Sequence, residues 1–303
     1  MYFTICIPTY NRKDKIINAL QSLEKQTFKD FEVIVVDDGS NDDTDKCIEE
    51  YKRDTSLEMH YIYKPNGGKH TALNRGIGLA KGIFFIILDS DDTLVDDCLE
   101  FFYEKSKHII ANEELCGIMA RCGVVKASEL KMIGEPFSVE NAKLSYIDFH
   151  YGIGLSIKGS RYKDCCECIK TKILRNYKFP ENIETKFIPE AYVFDQIGIK
   201  YKLLIYNNLV KKVEYCLDGI TRNIAVYKKQ NINGFLLKYK WNIENLLKDK
   251  NIGIFAKSVI CYQYFNALDI KKQKPEYDFR FFFGGLFIER LYPLLKYIRN
   301  NTK

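Results

Sequence analysis

The sequence predicts an α/β fold, in which a mainly parallel sheet carries helices on both faces and a helical extension follows. Short apolar runs alternate with amphipathic helical patterns four times within roughly the first hundred residues. The loops after these runs are rich in acidic residues, glycine and other polar residues. Beyond Val226 only helical patterns remain. Such alternation is typical of a parallel sheet with crossover helices.

Composition sets the broad class of protein. The 303 residues are 46% hydrophobic and 28% charged, as in an ordinary folded protein. The formal charge of +6 is mild, and we expect no nucleic-acid partner because such proteins usually carry a focused basic patch. The ten cysteines are spread along the chain, and its first eight residues contain no basic leader. We therefore expect free thiols and a cytoplasmic location.

Each predicted strand of the first part is followed by an unusual loop. The strands are expected at residues 3–7, 31–36, 59–63 and 84–88. The loops that follow them are residues 9–12, 37–40, 66–70 and 89–92. Between the first two strands, Ile16, Ile17, Leu20 and Leu23 recur on one face of a helix. Right-handed crossovers place the carboxyl ends of parallel strands along one edge, so the four loops should converge on one crevice.

The predicted crevice suits a nucleoside diphosphate. It would contain the ring of Tyr10, the carboxylates of Asp37 and Asp38, and the cation of Lys69 beside the N–H groups of the glycine-rich loop. The fourth loop adds three aspartates, a group that is often only solvated. The convergence of the loops favours a site instead, because a diphosphate needs Mg2+ or Mn2+ beside such acids.

Two common nucleotide motifs are missing from the sequence. It contains no G-x-x-x-x-G-K-[ST] segment and no G-x-G-x-x-G segment after the first strand. Both ATP hydrolysis and dinucleotide redox chemistry therefore lose support.

Four segments together resemble the family 2 glycosyltransferases. They are IPTYNR at residues 7–12, VVDDGS at 35–40, NGGKHTALNRG at 66–76 and LDSDD at 88–92. Their order and spacing match the family over about the first 120 residues. The resemblance implies the GT-A fold, a nucleotide-diphospho-sugar-binding α/β domain, and an inverting transfer that depends on Mn2+ or Mg2+.

The resemblance also implies roles for individual residues. Asp38 would contact the base, Asp89 the ribose and Asp91 the metal, with Asp92 as a second metal ligand. The full nucleotide-binding set would be Pro8, Thr9, Tyr10, Asp38, Gly67, Lys69, Asn74, Asp89 and Ser90. Many relatives have an arginine where Leu73 stands here, so Lys69 and His70 are both candidates for the positive charge it would supply.

An inverting transfer needs a carboxylate to take the proton of the acceptor hydroxyl. Relatives place this base near the start of a helix, about a hundred residues after the metal motif. The segment at residues 186–190 resembles one branch's version, and Glu190 follows Pro189, which suits a helix start. Glu190 is therefore the expected base. Asp195 is the runner-up, although a structural acid on the helix is the favoured interpretation there, and Glu184 is third.

The predicted function is transfer of one sugar from a nucleotide-diphospho-sugar, a UDP-sugar, to a hydroxyl of a glycan or lipid-linked acceptor. This would serve cell-surface polysaccharide synthesis, and a single transfer is expected because the sequence lacks the Gln-x-x-Arg-Trp motif of processive relatives. Two alternative functions are less consistent with the sequence. A sugar-nucleotide nucleotidyltransferase usually has a glycine-rich basic first loop, which residues 8–12 lack. A catalytically inactive membrane-associated scaffold would not need the acids or Glu190.

The chain divides into three predicted parts. Residues 1–120 would bind the nucleotide-sugar, residues 121–225 would bind the acceptor and supply the base, and residues 226–303 would be helical. Residues 281–288 are strongly apolar but too few to span a bilayer. The basic amphipathic pattern after them suits either peripheral contact with the inner face of the membrane or packing on protein, including a second copy in a homo-oligomer.

Overall fold

A computed structural model of the chain describes residues 1–152, 155–156, 159–160, 164–216, 219–220 and 222–274. The apolar segment 281–288 and the amphipathic pattern after it lie outside the described residues. The four strands predicted in the first part are confirmed, each to within two residues at its ends. The alternation of apolar runs and helical patterns therefore located these elements correctly.

The strands and helices follow one another along the chain. The strands are β1 (Phe3–Thr9), β2 (Phe31–Asp37), β3 (Met59–Tyr63), β4 (Phe84–Ile87), β5 (Thr93–Leu94), β6 (Leu115–Lys126), β7 (Glu129–Met132), β8 (Ala142–Leu144), β9 (Leu155–Ser156), β10 (Gly159–Ser160), β11 (Cys165–Lys170) and β12 (Lys202–Lys212). The helices are α1 (Lys13–Glu24), α2 (Thr44–Asp54), α3 (Lys69–Leu79), α4 (Cys98–Ser106), α5 (Thr171–Leu174), α6 (Ala191–Lys200), α7 (Ile224–Gln230), α8 (Ile232–Leu246) and α9 (Ile254–Lys271), and a π-helical turn spans Asp148–Gly152.

Most of the strands join one sheet in the order β3-β2-β1-β4-β11-β6-β12-β5. Strands β1 to β4 are mutually parallel, as the sequence predicts. β11 runs antiparallel to both β4 and β6, and β12 is parallel to β6. The sheet therefore has a parallel half and a mixed half. β6 crosses residue 120, so the first two predicted parts share this sheet, and their division by function stays a prediction.

Helices cover both faces of the sheet. Alternate residues of β1 point to opposite sides, with Phe3, Ile5 and Ile7 in one apolar cluster and Cys6 in another. The first cluster includes buried residues of α1, α2 and α4. The second includes residues of α3, α5 and α6. Within α1, Ile16, Leu20 and Leu23 are buried as predicted, whereas Ile17 is only partly buried.

The helical region after Val226 is confirmed as far as residue 274. Helices α8 and α9 pack on one another around a third apolar cluster, which includes Phe235, Ile243 and Tyr264. Ile147 and Tyr151 join this cluster from the segment around the π-helical turn. The extension is thus attached to the sheet domain through the stretch that precedes β11.

Among the residues that the structure describes, no helix is both long enough and apolar enough to cross a membrane.

Candidate active site

A cavity of about 810 Å³ opens at the carboxyl ends of the parallel strands. Residues from all four predicted loops line it, so the convergence expected from the topology is present. Ten of the predicted site residues are in this lining: Pro8, Thr9, Tyr10, Asp38, Lys69, Asp89, Ser90, Asp91, Asp92 and Glu190. The mixed half of the sheet and α6 form the opposite wall. Gly67, Asn74 and Asp195 lie outside the lining.

Asp38 organises the glycine-rich loop. Its buried carboxylate accepts hydrogen bonds from Lys64 Nζ at 2.6 Å, the Gly67 N–H at 2.9 Å and the Gly68 N–H at 2.6 Å. The expected role of Gly67 in nucleotide binding therefore differs from the structure, because its N–H is already bonded to Asp38. Asp37 is fully buried and binds the Ser40 N–H and the Tyr61 hydroxyl, so its carboxylate is structural.

Gly68 allows the two halves of the site to approach closely. Its φ of +96° lies in the region that favours glycine, and a Cβ there would lie 2.0 Å from the carbonyl oxygen of Lys186. A side chain at this position would push away the segment that leads into α6. The glycine therefore places the start of α6, and with it Glu190, against the loops of the parallel half.

Lys69 connects the acidic loop to the expected base. Its ammonium lies 2.5 Å from Asp89 Oδ1 and 2.7 Å from Glu190 Oε1. Burial alone would lower the pKa of Lys69, but the carboxylates of Asp89 and Glu190 outweigh it and raise the pKa above its ordinary value. For Asp89, burial is opposed by Lys69 and Lys211, which hold its pKa below the ordinary value. Lys69 and Asp89 are therefore both charged near neutral pH.

Asp91 and Asp92 have different surroundings. Asp92 is buried, lies 3.2 Å from Lys211 Nζ and accepts a hydrogen bond from the Glu214 N–H at 3.1 Å. Burial raises the pKa of Asp92 to about 6. Asp91 is partly exposed to the cavity, forms no salt bridge within the described part of the chain, and contacts the Cys216 thiol. The geometry thus favours Asp91 as a metal ligand and opposes the expected second role of Asp92, whose carboxylate is already paired.

The strand end of β1 supplies an unpartnered hydroxyl. Thr9 is 3% exposed, and its Oγ1 forms no hydrogen bond with the described residues. A buried hydroxyl without a partner is unfavourable unless a ligand or water satisfies it. The neighbouring ring of Tyr10 is 47% exposed at the mouth of the same cavity. This end of the cavity therefore offers a hydrogen-bonding group and a flat apolar surface.

Asn74 has a structural contact in place of the expected nucleotide contact. Its side-chain amide donates to the Phe179 carbonyl at 2.8 Å and to Glu181 at 2.7 Å, and its oxygen accepts from the Phe179 N–H at 3.0 Å. The residue lies on α3 and faces the segment after α5 rather than the cavity. The prediction for Asn74 is corrected for this reason, since its hydrogen-bonding groups are already used.

Asp195, the runner-up for the base, is also corrected. It is fully buried and lies 2.5 Å from His150 Nδ1, 3.2 Å from the Tyr151 hydroxyl and 3.9 Å from Lys238 Nζ. No substrate hydroxyl can reach this carboxylate without displacing those groups. Its position agrees with the structural role that the sequence favoured. Glu184 likewise lies outside the cavity lining.

The lining also contains Glu167, Lys211 and His150, which the sequence did not identify as site residues. Burial raises the pKa of Glu167, on β11, to about 8. In the sequence, Glu167 is the only acid in the otherwise apolar run of residues 165–169, and this isolation could have indicated a functional residue. His150 carried no such signal, because Asp195, the partner that orients its ring, is 45 residues away.

The sequence matches the family model "Glycosyl transferase family 2" over residues 4–138. Over 132 residues it is 33% identical to the GalNAc(5)-diNAcBac-PP-undecaprenol beta-1,3-glucosyltransferase of Campylobacter jejuni, covering 42% of this chain and 40% of that one. Over 102 residues it is 36% identical to the poly(ribitol-phosphate) beta-N-acetylglucosaminyltransferase TarS of Staphylococcus aureus. This match covers 33% of this chain and 18% of TarS. The match thus spans less than half the length of these relatives.

Two solved structures share the fold over nearly the whole chain. TarS 1-349 of S. aureus in complex with UDP-GlcNAc has a TM-score of 0.59 at 20% identity, covering 99% of this chain and 88% of that one. The mannosyltransferase PcManGT of Pyrobaculum calidifontis, in complex with GDP-Man and Mn2+, has a TM-score of 0.57 at 16% identity, covering 99% and 81%. The fold is therefore GT-A with a C-terminal helical extension, as the resemblance implied. Residues 4–138 therefore match glycosyl transferase family 2, and the fold shared with the two solved structures extends over nearly the whole chain.

Proposed function

We propose that the protein transfers a single sugar, with inversion, from a UDP-sugar to a hydroxyl of a glycan or lipid-linked acceptor. The observation that carries the proposal is that Asp91, without a salt bridge in the described part of the chain, and Glu190 line the same cavity from opposite halves of the sheet. Asp91 would serve the donor diphosphate, and Glu190 would serve the attacking hydroxyl. The names of the two relatives specify GalNAc(5)-diNAcBac-PP-undecaprenol and poly(ribitol-phosphate) as acceptors, which supports a glycan or lipid-linked acceptor here.

The nucleotide would occupy the end of the cavity formed by the parallel half. The Thr9 hydroxyl, buried and without a partner, would gain a hydrogen bond from the nucleotide, and the exposed ring of Tyr10 would stack on the base. Asp38 and Ser90 also line this end. Uracil is the proposed base because TarS, which shares the fold, binds UDP-GlcNAc.

A divalent cation fits the acidic loop. Asp91 offers an oxygen ligand that forms no salt bridge in the described part of the chain, and oxygen ligands suit Mg2+ and Mn2+. The PcManGT complex contains Mn2+. When bound, the ion would neutralise the charge of the diphosphate leaving group. Asp91 would hold it, and Asp89 is the next oxygen donor of the same loop, on condition that Lys69 releases it.

Glu190 would act as the base, and Lys69 would determine whether its carboxylate is free to accept a proton. In the structure one ammonium is shared between Asp89 and Glu190. A bound diphosphate would attract this ammonium and leave the Glu190 carboxylate free to accept a proton. As the acceptor oxygen forms its bond to C1 of the sugar, its proton passes to Glu190, and the bond from C1 to the diphosphate breaks. The products are the glycoside and UDP.

The acceptor would lie against the wall formed by the mixed half and α6. Phe149, His150 and Phe194 contribute to this wall, and Asp195 orients the His150 ring. Aromatic side chains next to a fixed hydrogen-bonding group are suited to a sugar ring. A lipid-linked acceptor would require peripheral contact with the inner face of a membrane. This contact stays a prediction, as do a cytoplasmic location and a homo-oligomer.

A donor panel tests the proposal. Purified protein is incubated with UDP-, GDP- and other nucleotide-sugars with Mn2+ or with EDTA, and the thermal midpoint and released nucleotide are measured. We expect a UDP-sugar to raise the midpoint only with the metal and to release UDP. Pyrophosphate formed from UTP and a sugar 1-phosphate would instead favour a nucleotidyltransferase. A panel without any shift or product would contradict both activities.

A further inference from the structure

A second acidic group lies near the amino ends of the parallel strands, whereas the donor cavity is at their carboxyl ends. Glu32, at the amino end of β2, is fully buried. Its Oε1 accepts hydrogen bonds from the Thr4 hydroxyl at 2.6 Å and from the Lys81 N–H at 2.5 Å. Its Oε2 is equally buried but accepts no hydrogen bond from the described residues. The carboxylate is thus held in one orientation, with one oxygen unsatisfied.

Two further ligand groups face this oxygen. His60 Nε2 lies 3.8 Å from Glu32 Oε2, and one oxygen of Glu58 joins them, so that the three ligand atoms lie within 4.8 Å of one another. Glu58 precedes β3 and His60 is its second residue. Their side chains are 52% and 46% exposed, so an ion can enter from solvent. One buried, fixed ligand and two mobile ones therefore surround a common point.

We propose that Glu32, Glu58 and His60 bind a divalent transition-metal ion of the Zn2+ type. One imidazole and two carboxylates form a three-ligand set that zinc accepts, with water in the fourth position. Zinc ligands lie about 2.0–2.2 Å from the ion, so the three atoms must move closer by about an ångström, which the two exposed side chains allow. Mg2+ and Ca2+ prefer six or more oxygen ligands and suit this set poorly. The hydrogen bonds to Glu32 Oε1 are the outer contacts that orient a metal-binding carboxylate.

Lys81 currently balances part of the negative charge. Its ammonium lies 4.0 Å from Glu32 Oε2 and 3.8 Å from Glu58 Oε1, beyond hydrogen-bond distance, and the side chain is 61% exposed. The metal ion would exchange with this ammonium, which can move into solvent. Lys81 is therefore a competitor of the ion, and its removal should strengthen binding.

The proposed site is separate from the donor cavity. Glu32 is the second residue of β2, whose last residue, Asp37, lies next to the cavity residue Asp38. Five residues of extended strand separate them by about 17 Å. A bound ion would fasten the edge strand β3 to β2. It would stabilise this edge of the sheet without contacting the donor.

Calorimetric titration of the full chain with Zn2+, in a reducing buffer, tests the site. The Asp91→Asn variant serves as the parent, so that the acidic loop contributes less to the signal. We expect one zinc site that weakens at least about tenfold in Glu58→Gln and in His60→Gln, and tightens about threefold in Lys81→Gln. Both ligand changes are at exposed positions, so the variants should fold. His108→Gln, at another exposed histidine, is the matched control.

The variants and a second metal give decisive outcomes. Equal zinc affinity in Glu58→Gln, His60→Gln and the parent would place the ion elsewhere, on thiols or other histidines, and overturn the proposal. Weakening by His108→Gln to the same extent would overturn it as well. Zinc should also raise the thermal midpoint of the parent but not of His60→Gln, whereas Mg2+ at the same concentration should raise neither. A midpoint that rises equally with Mg2+ would contradict a site selective for transition metals.

Discussion

The parallel half and the mixed half of the sheet hold their site residues in different ways. In the parallel half, Asp38 is bonded to N–H groups about 30 residues away, within a loop that directly follows the next strand. In the mixed half, Glu190 forms a salt bridge with Lys69, which lies 121 residues earlier in the chain. The donor side is thus built from neighbouring strand–loop units, whereas the acceptor side depends on contacts across the fold. Substitutions on the acceptor side should therefore lower the transfer rate, whereas substitutions on the donor side should lower the donor affinity.

The largest expected effect is at the base. Glu190→Gln removes the proton acceptor but keeps the shape of the side chain, so transfer should fall about 10³-fold. Donor affinity should change little, because Lys69 still contacts Asp89. Transfer rate and UDP-sugar affinity with Mn2+ measure the two effects separately.

Glu184→Gln is the matched control, an exposed acid of the same segment that lies outside the cavity. Normal transfer by Glu190→Gln together with an inactive Asp195→Asn would reverse the assignment of the base.

In the acidic loop we expect a loss of donor affinity. Asp91→Asn removes the charged oxygen ligand, so the affinity for UDP should fall at least about tenfold with Mn2+ and little in EDTA. Calorimetry with and without the metal measures this difference. Asp96→Asn, at an exposed acid shortly after the loop, should behave like the wild-type protein. An unchanged metal-dependent affinity in Asp91→Asn would remove Asp91 from the donor side.

Asp195→Asn should affect stability more than chemistry. It removes the buried charge that faces His150 and Lys238, and the free energy of unfolding should fall by about 2–3 kcal/mol. Transfer by the folded fraction should fall less than about tenfold, since this carboxylate does not reach the cavity. Urea unfolding and transfer assays below the unfolding transition separate the two effects. Tyr151→Phe, which removes only the hydroxyl bonded to Asp195, should cost less stability.

Burial of Glu167 predicts a pH dependence of stability. The unfolded chain loses this proton near the ordinary pKa of 4.5, whereas the folded protein keeps it until about pH 8. The folded state therefore binds more protons in this interval, and Glu167 lowers the free energy of unfolding as pH rises from 5 to 8. Glu167→Gln should reduce this fall by about 1 kcal/mol or more, measured by urea unfolding at several pH values. An identical pH profile in the variant would contradict the raised pKa, and Glu129→Gln, exposed on β7, is the control.

At Asn74 we expect an effect on stability alone. Asn74→Ala removes the hydrogen bonds to the Phe179 main chain, so the free energy of unfolding should fall by about 1–2 kcal/mol while the affinity for UDP stays unchanged. Arg75→Ala, at the next and exposed residue of α3, is the control for the helix. A selective loss of UDP affinity in Asn74→Ala would restore the nucleotide contact implied by the family resemblance.

Residues of the parallel half show how far local pattern reaches. Asp38 and Asp91 follow apolar runs that could form only buried strands, so both could be assigned to one sheet edge without any coordinates. The pattern did not reveal that Asp38 uses the Gly67 N–H, or that Asp92 is neutralised by Lys211 from β12. Sequence reasoning assigned Asn74 wrongly because a motif specifies a residue type, whereas the direction of its side chain depends on packing against residues 179–181.

The sequence by itself determined the first four strands, the edge at which their loops meet and the helical character of the chain after Val226, because strand and helix periodicities and loop chemistry are local properties. Only the tertiary structure decided which carboxylates are free to bind a ligand. Lys69 joins Asp89 to Glu190, Lys211 neutralises Asp92, and His150 is fixed by Asp195. The physical reason is that charge pairing and burial depend on distances between residues far apart in the chain, and these distances exist only after folding.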